Sequence, residues 1–441
     1  MKRTGTPPPG PVGRFLLGHA LEYRRDSTAF LTRLAAEYGD VAAFRLGPQR
    51  LCLIADPADI ERVLVTESRH FTKPAMLTRM GRLLFGQALT ALDGEPWARQ
   101  RRLATPAFRR EHVDGAAELA QREIARIVER WTAERAARLD DALFDLTLRA
   151  YARVLFGDAA PAIDGVGAAM RAALRGFSTR VQRGLPTPDW LPVQANRDMR
   201  RGMRAVRSFV GRAAAAAIAL GTPVVATALA RARTTAGEGH TPDSLCDELA
   251  IMWGLGAHQT AIALAWALHL RAINPSTEAR LLADGAASAP GATLPPFTAA
   301  FVDEALRLFP PFPAIVRAAV DPFDAGGYRI DPGTVVMVSM WVTQRDERHF
   351  DAASEFHPER WSDDFRLRLP RTAYMPFGAG PRACIAAALA RATVGFGLLA
   401  ITRRFHVEQP PGLVVQPAPG VALSVRGGLQ MTLTARARSA A

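Results

Sequence analysis

The sequence predicts a mainly α-helical fold with small β-sheets, and three observations carry that expectation. A long middle stretch, from Pro96 to about Arg233, is rich in Ala, Arg and Leu with apolar residues repeating at helical spacing. A second stretch, ending at Ile273, is apolar on nearly every face for about thirty residues, roughly 45 Å of helix, so it should run through the interior. Strand-type alternation is confined to short runs such as VAAFRLG, RLCLIAD, Val335–Val342 and Met431–Leu433.

In chain order, a Pro/Gly-rich lead (Thr6 to Gly13) precedes helical spacing over Ala29–Tyr38. VAAFRLG and RLCLIAD then read as a hairpin turning at Gly47-Pro48. Breaks at Gly157–Pro161, Gly184–Pro192 and Gly221–Pro223 divide the middle into separate helices. Thr241-Pro242-Asp243 is a strong start for the long helix, with threonine as N-cap and proline in the first turn. Asn274-Pro275 stops it, and a short helix follows over Phe297–Phe309. No internal repeat is evident, and residues 1–441 are expected to form one large domain, with residues 1–13 as an irregular lead.

The 441 residues are 49% hydrophobic, which suits a globular chain. There is no uncharged apolar run long enough to span a bilayer and no signal-peptide pattern, so a cytoplasmic protein without a membrane anchor is expected. The net charge of +13 is almost all arginine, since Lys2 and Lys73 are the only lysines. The arginines are scattered among acids and alanines without basic blocks, which argues against nucleic-acid binding. A basic surface docking an acidic partner stays open. Three cysteines argue against a disulfide framework. Cys52 and Cys246 read as inert buried thiols.

Cys384 has different neighbours. In Phe377-Gly-Ala-Gly380-Pro-Arg382-Ala-Cys384, two glycines and a proline make a tight loop where backbone can approach a flat ligand. Helical character resumes at Ala386, which puts Cys384 near a helix N-terminus, where the dipole and free N–H groups favour a thiolate. A thiolate with N–H donors is what a soft axial iron ligand requires.

This motif resembles the haem-binding loop of the cytochrome P-450 family. Other signals agree in order and spacing over essentially the whole chain: PPPGP, DGEPWARQRR, the long helix, EALR, QRDERHF and FHPERW. The resemblance implies the family's helix-rich triangular fold with the long helix over a haem b whose iron is held by Cys384. It implies that Trp97, Arg101, Arg317 and Arg382 reach the haem propionates, with Phe377 and Gly256 also in the cofactor site. Arginine suits that task through its bidentate fork. Glu304, Arg307 and Arg360 would form a buried network bracing the cysteine loop. One departure is Ala386, where family members usually carry glycine.

A larger departure lies in the long helix. The family usually places an acid and an alcohol at its centre to feed protons to bound dioxygen; here the stretch reads Leu255-Gly256-Ala257-His258-Gln259-Thr260. Without gaps, His258 takes the acid position and Gln259 the alcohol position; a one-residue slip would use Gln259 and Thr260 but needs a local bulge. Either way no carboxylate is present. His258, titrating near neutral pH, is a candidate general acid; in the bland alternative it fills a polar slot while water or a substrate hydroxyl supplies the proton.

The expected activity is a monooxygenase inserting one oxygen atom of O2 into a hydrophobic small molecule of terpenoid, steroid or fatty-acyl type. Electrons would come from a separate ferredoxin and ferredoxin reductase using NAD(P)H, and a monomer is expected. The pocket should draw on Thr72–Leu92, Gly176–Trp190, Leu255–Thr260 and Ala314–Val316. The alternatives are a peroxide-dependent or non-hydroxylating haem-thiolate enzyme, and a haem-binding sensor or carrier without turnover.

Overall fold

The computed structural model describes residues 5–132, 139–183, 191, 193–235, 242–288, 293–418 and 420–436. The proposed N-cap Thr241 and most of the Gly184–Pro192 break lie outside them. The chain divides into two compact units.

The first unit comprises residues 1–78, 304–384 and 418–423. Its centre is a five-stranded sheet. The expected hairpin is there: Val41–Leu46 pairs antiparallel with Gln49–Ile54, from Val41 opposite Ile54 to Leu46 opposite Gln49. The turn uses Gly47 at φ 59°, a backbone region that favours glycine. Val335–Val338 then adds parallel to Gln49–Ile54, and Ile315–Ala319 adds antiparallel to Val335–Val338. The strand is shorter than the expected Val335–Val342. Ser339 stops it, because its Oγ accepts from Val342 N at 3.3 Å and starts the helix Met340–Thr343. One face of the sheet packs on Phe30, Leu31 and Leu34 of the helix Ser27–Tyr38; the other packs on Ile60, Val63 and Leu64.

The second unit comprises residues 79–303, 385–417 and 424–441. Its helices Leu139–Phe156, Gln194–Ala219 and Ala387–Arg404 pack against the long helix Pro242–Ile273. The lack of a polar face predicted burial, and nearly all of Leu249–Arg271 is buried or partly buried. The helix is α-helical throughout, with no bulge at its centre. The local bulge that the slipped register would need is not there. The expected Met431–Leu433 strand is displaced toward the C-terminus: Thr432–Ala435 pairs antiparallel with Phe405–Glu408.

Candidate active site

Glu304 and Arg307, three residues apart on the helix Pro296–Leu308, are both fully buried. Arg307 Nε and Nη2 donate to the two carboxylate oxygens of Glu304 at 2.9 and 2.8 Å. Glu304 also accepts from Arg360 Nε (3.0 Å), His357 N (2.9 Å) and Trp361 Nε1 (2.9 Å). Arg307 donates to the carbonyls of Gln344, Ala353 and Glu355. A buried ion pair is tolerable only when its remaining donors and acceptors are matched, and here five donors converge on one carboxylate. FHPERW thus wraps Glu304 through three of its residues.

Gln344 ties this network to the cysteine loop, and sequence reasoning did not single it out. Its Nε2 donates to the carbonyls of Leu306 and Arg307, and its Oε1 accepts from Met375 N at 3.0 Å. Met375 in turn accepts from Gly378 N, the first step of the loop. A buried glutamine in QRDERHF with no apolar role was the available signal.

The loop closes on itself. Cys384 N donates to Phe377 O at 2.9 Å, and Ala383 N donates to Gly380 O at 3.0 Å. Gly378 and Gly380 stand at φ 73° and 71°, where a side chain is strained. At Gly380 a Cβ would lie 1.9 Å from Leu64 O, so the loop presses directly on the backbone of Arg62–Thr66. Ala386 is unstrained at φ −101°, ψ 20°, as the N-cap of Ala387–Arg404. Arg317 sits in the strand Ile315–Ala319 opposite Val336 and donates to Val316 O. Cys384 is exposed. The other two cysteines are unsuited to that role. Cys52 is buried and desolvation raises its thiol pKa to about 12. Cys246 donates to Arg207 O, and burial raises its thiol as well.

In the second unit, Gly256, His258, Gln259 and Thr260 occupy the middle of the long helix. Thr260 is buried, and its hydroxyl lies 3.0 Å from the Tyr151 hydroxyl. A Cβ on Gly256 would sit 3.1 Å from the same tyrosine ring, so the glycine seats Tyr151 against the helix. One turn away, Thr147 Oγ1 donates to Ala257 O at 2.9 Å. The ring of His258 meets Phe144 edge to face at 5.6 Å. Gln259 Nε2 lies 3.4 Å from His258 Nδ1, a long contact. Gln259 Oε1 is buried with no hydrogen-bond partner among the described residues.

The surroundings of His258 correct one expectation. Desolvation without a compensating acid lowers its pKa to about 4, so the imidazole is neutral at pH 7 rather than titrating there.

Trp97 and Arg101 lie one turn apart on the helix Gly94–Ala104, both partly buried. Between them Gln100 Nε2 donates to the buried carboxylate of Glu248 at 3.0 Å, which also accepts from Leu89 N. Burial raises the Glu248 carboxyl. Glu248 therefore fixes this helix to the start of the long one, another link that sequence spacing did not disclose. Among the described residues no cluster of His, Cys, Asp and Glu is arranged to hold a bare metal ion, and no helix is long and apolar enough to cross a membrane.

Comparison with known proteins gives a consistent result. The Cytochrome P450 family model matches residues 8–426. Cyclooctatin synthase of Streptomyces melanosporofaciens is 30% identical over 96% of this chain and 94% of its own length. Cyclooctat-9-en-7-ol 5-monooxygenase from the same organism is 28% identical over 93% and 90%. Pentalenene oxygenase of Streptomyces avermitilis is 27% identical over 96% of each.

Proposed function

Because the chain belongs to the cytochrome P450 family, and is thus a haem b monooxygenase, we propose that it oxidises a terpenoid. The observation that carries this is the near full-length similarity to a cyclooctatin synthase, a cyclooctat-9-en-7-ol 5-monooxygenase and a pentalenene oxygenase. Electrons would reach it from a separate ferredoxin and ferredoxin reductase, in the cytoplasm.

The residues present fit the cofactor. The soft donor of Cys384 is exposed on a loop held by Phe377 O and Gly380 O, and the glycines keep that loop thin. Cys384 would supply the thiolate that holds the iron. Arg382, Arg317, Arg101 and Trp97 would bind the propionates, Phe377 would pack beside the ring, and Gly256 would act through the seat it gives Tyr151. The bound haem supplies activation of O2 and transfer of one oxygen atom to carbon, the other leaving as water.

The chain's own tasks at the centre of the long helix would be to hold protons and exclude charge. Neutral His258 can accept a proton at one ring nitrogen while releasing one at the other, without passing through a stable cation. Gln259 Oε1 offers a buried acceptor that orients a water or alcohol donor. The Thr260–Tyr151 hydroxyl pair adds buried O–H groups on the same helix. Substrate-induced spectral titration over a terpene panel, followed by turnover with O2, NADPH, ferredoxin and reductase, tests the reading. Saturable shifts and one-oxygen products are expected; no shift with any terpene removes the substrate class. The Cys384→Ser protein should lose the red-shifted thiolate band of the CO-reduced spectrum, and a retained band would displace Cys384 as ligand.

A further inference from the structure

In the first unit the segment around Arg14–Gly18 forms a small closed turn. Arg14 N donates to Gly18 O at 3.0 Å, Gly18 N returns to Arg14 O at 2.8 Å, and Gly47 N donates to Leu17 O at 3.0 Å. Gly18 lies so close to the next strand that a Cβ would stand 2.4 Å from Arg45 O. The turn is therefore pinned to the sheet rather than frayed.

What the turn displays is apolar. Phe15 is 91% exposed, Leu16 73% and Leu17 47%, with Val12 and Leu21 exposed on either side. Leu16 stands at φ 64°, a left-handed conformation disfavoured for any L-residue with a branched side chain. Glycine or asparagine would serve a bare turn better, so the fold holds a strained leucine whose side chain is left largely exposed. Other aliphatics are also strongly exposed, Leu220 (73%) near Ile218, Leu367 (84%) and Val414 (75%), but among the described residues none of them belongs to a run of three consecutive exposed apolar side chains like Phe15–Leu17.

The charge around the turn selects the occupant. Arg14, Arg24, Arg25 and Arg45 are exposed beside it. Of the nearby acids, Glu22 is held by Arg33 at 2.8 Å and Asp26 caps the helix Ser27–Tyr38. We propose that this turn is a membrane-surface contact: Phe15 and Leu16 insert at the boundary of an anionic bilayer while the arginines meet its phosphates. Exposed apolar tips with basic neighbours gain from both apolar burial and attraction to anionic headgroups. The contact is peripheral and independent of which substrate the enzyme takes.

The test is co-sedimentation of the haem-loaded full chain with vesicles of equal parts phosphatidylcholine and phosphatidylglycerol, and with phosphatidylcholine alone. Binding to the anionic vesicles is expected, weakened by salt and about tenfold or more lower without phosphatidylglycerol. Phe15→Ser with Leu16→Ser should reduce the partition by about tenfold or more, with the thiolate band of the haem showing that the protein is folded. Phe15→Ser alone, away from the strained position, should move it in the same direction. Wild-type protein that stays in the supernatant with both vesicle types overturns the proposal, as do variants that bind like wild type. Concentration-dependent self-association that the variants abolish, without vesicle binding, assigns the turn to a second copy and equally overturns it.

Discussion

Arg307 grips the carboxylate of Glu304 through Nε and Nη2, two bonds of 2.9 and 2.8 Å between side chains with no solvent exposure. Removing one partner leaves the other charge buried alone. Glu304→Ala is expected to cost about 3–5 kcal/mol, read as a shift in the urea midpoint. Haem content on purification should fall in step, since Glu304 also holds His357, Arg360 and Trp361.

Gln344 is the joint between that pair and the cysteine loop. Gln344→Ala strands the Met375 N–H and two carbonyl contacts in a buried place. A loss of about 1–3 kcal/mol is expected, with a larger effect on the CO-reduced thiolate band than a surface substitution of equal cost, such as one at Glu359.

The two small residues around the cysteine should respond in opposite ways. Gly380→Ala forces a Cβ to within 1.9 Å of Leu64 O at φ 71°, so the loop must move and haem retention should fail. Ala386→Gly should be neutral or stabilising by up to about 1 kcal/mol, because its backbone needs no glycine and glycine is the better N-cap. Thermal melting of both haem-loaded variants decides.

His258 gives a pH signature. Its folded pKa of about 4 lies below the ordinary 6.5, so the unfolded chain binds a proton first. The stability linked to this group is present above pH 6.5 and is lost as pH falls from 6.5 toward 4. His258→Gln should flatten that part of the stability profile in urea titrations. The turnover rate of the wild type should show no inflection near 6.5 from this residue, and one that disappears in His258→Gln would contradict the desolvated neutral imidazole.

Tyr151→Phe leaves the Thr260 hydroxyl without its 3.0 Å partner. A stability loss of about 1 kcal/mol is expected. If that pair delivers protons, peroxide release per NADPH consumed should rise while substrate affinity holds.

Much of this was legible in the residues. The all-round apolar stretch ending at Ile273 has to be buried because water would meet it on every side, and it is. The glycines at 378 and 380 announced a thin loop because their backbone requires positive φ. Glu304 and Arg307 are neighbours by helix geometry alone. The boundaries failed where one side chain decided them: Ser339 ends a strand that propensity would carry to Val342.

What the sequence could not contain is who meets whom across long separations. Gln344 reaches Met375 over 31 residues and Tyr151 reaches Thr260 over 109, and no local period encodes such pairs. The protonation of His258 belongs to the same class. Its identity was read from the helix, but its neutrality follows from how many atoms displace water around it, a sum that exists only after Phe144 and its neighbours have folded against the helix. Local chemistry set the elements and the cysteine loop; desolvation and long-range hydrogen bonding, which only the tertiary structure supplies, set the state of the polar groups at the centre of the long helix.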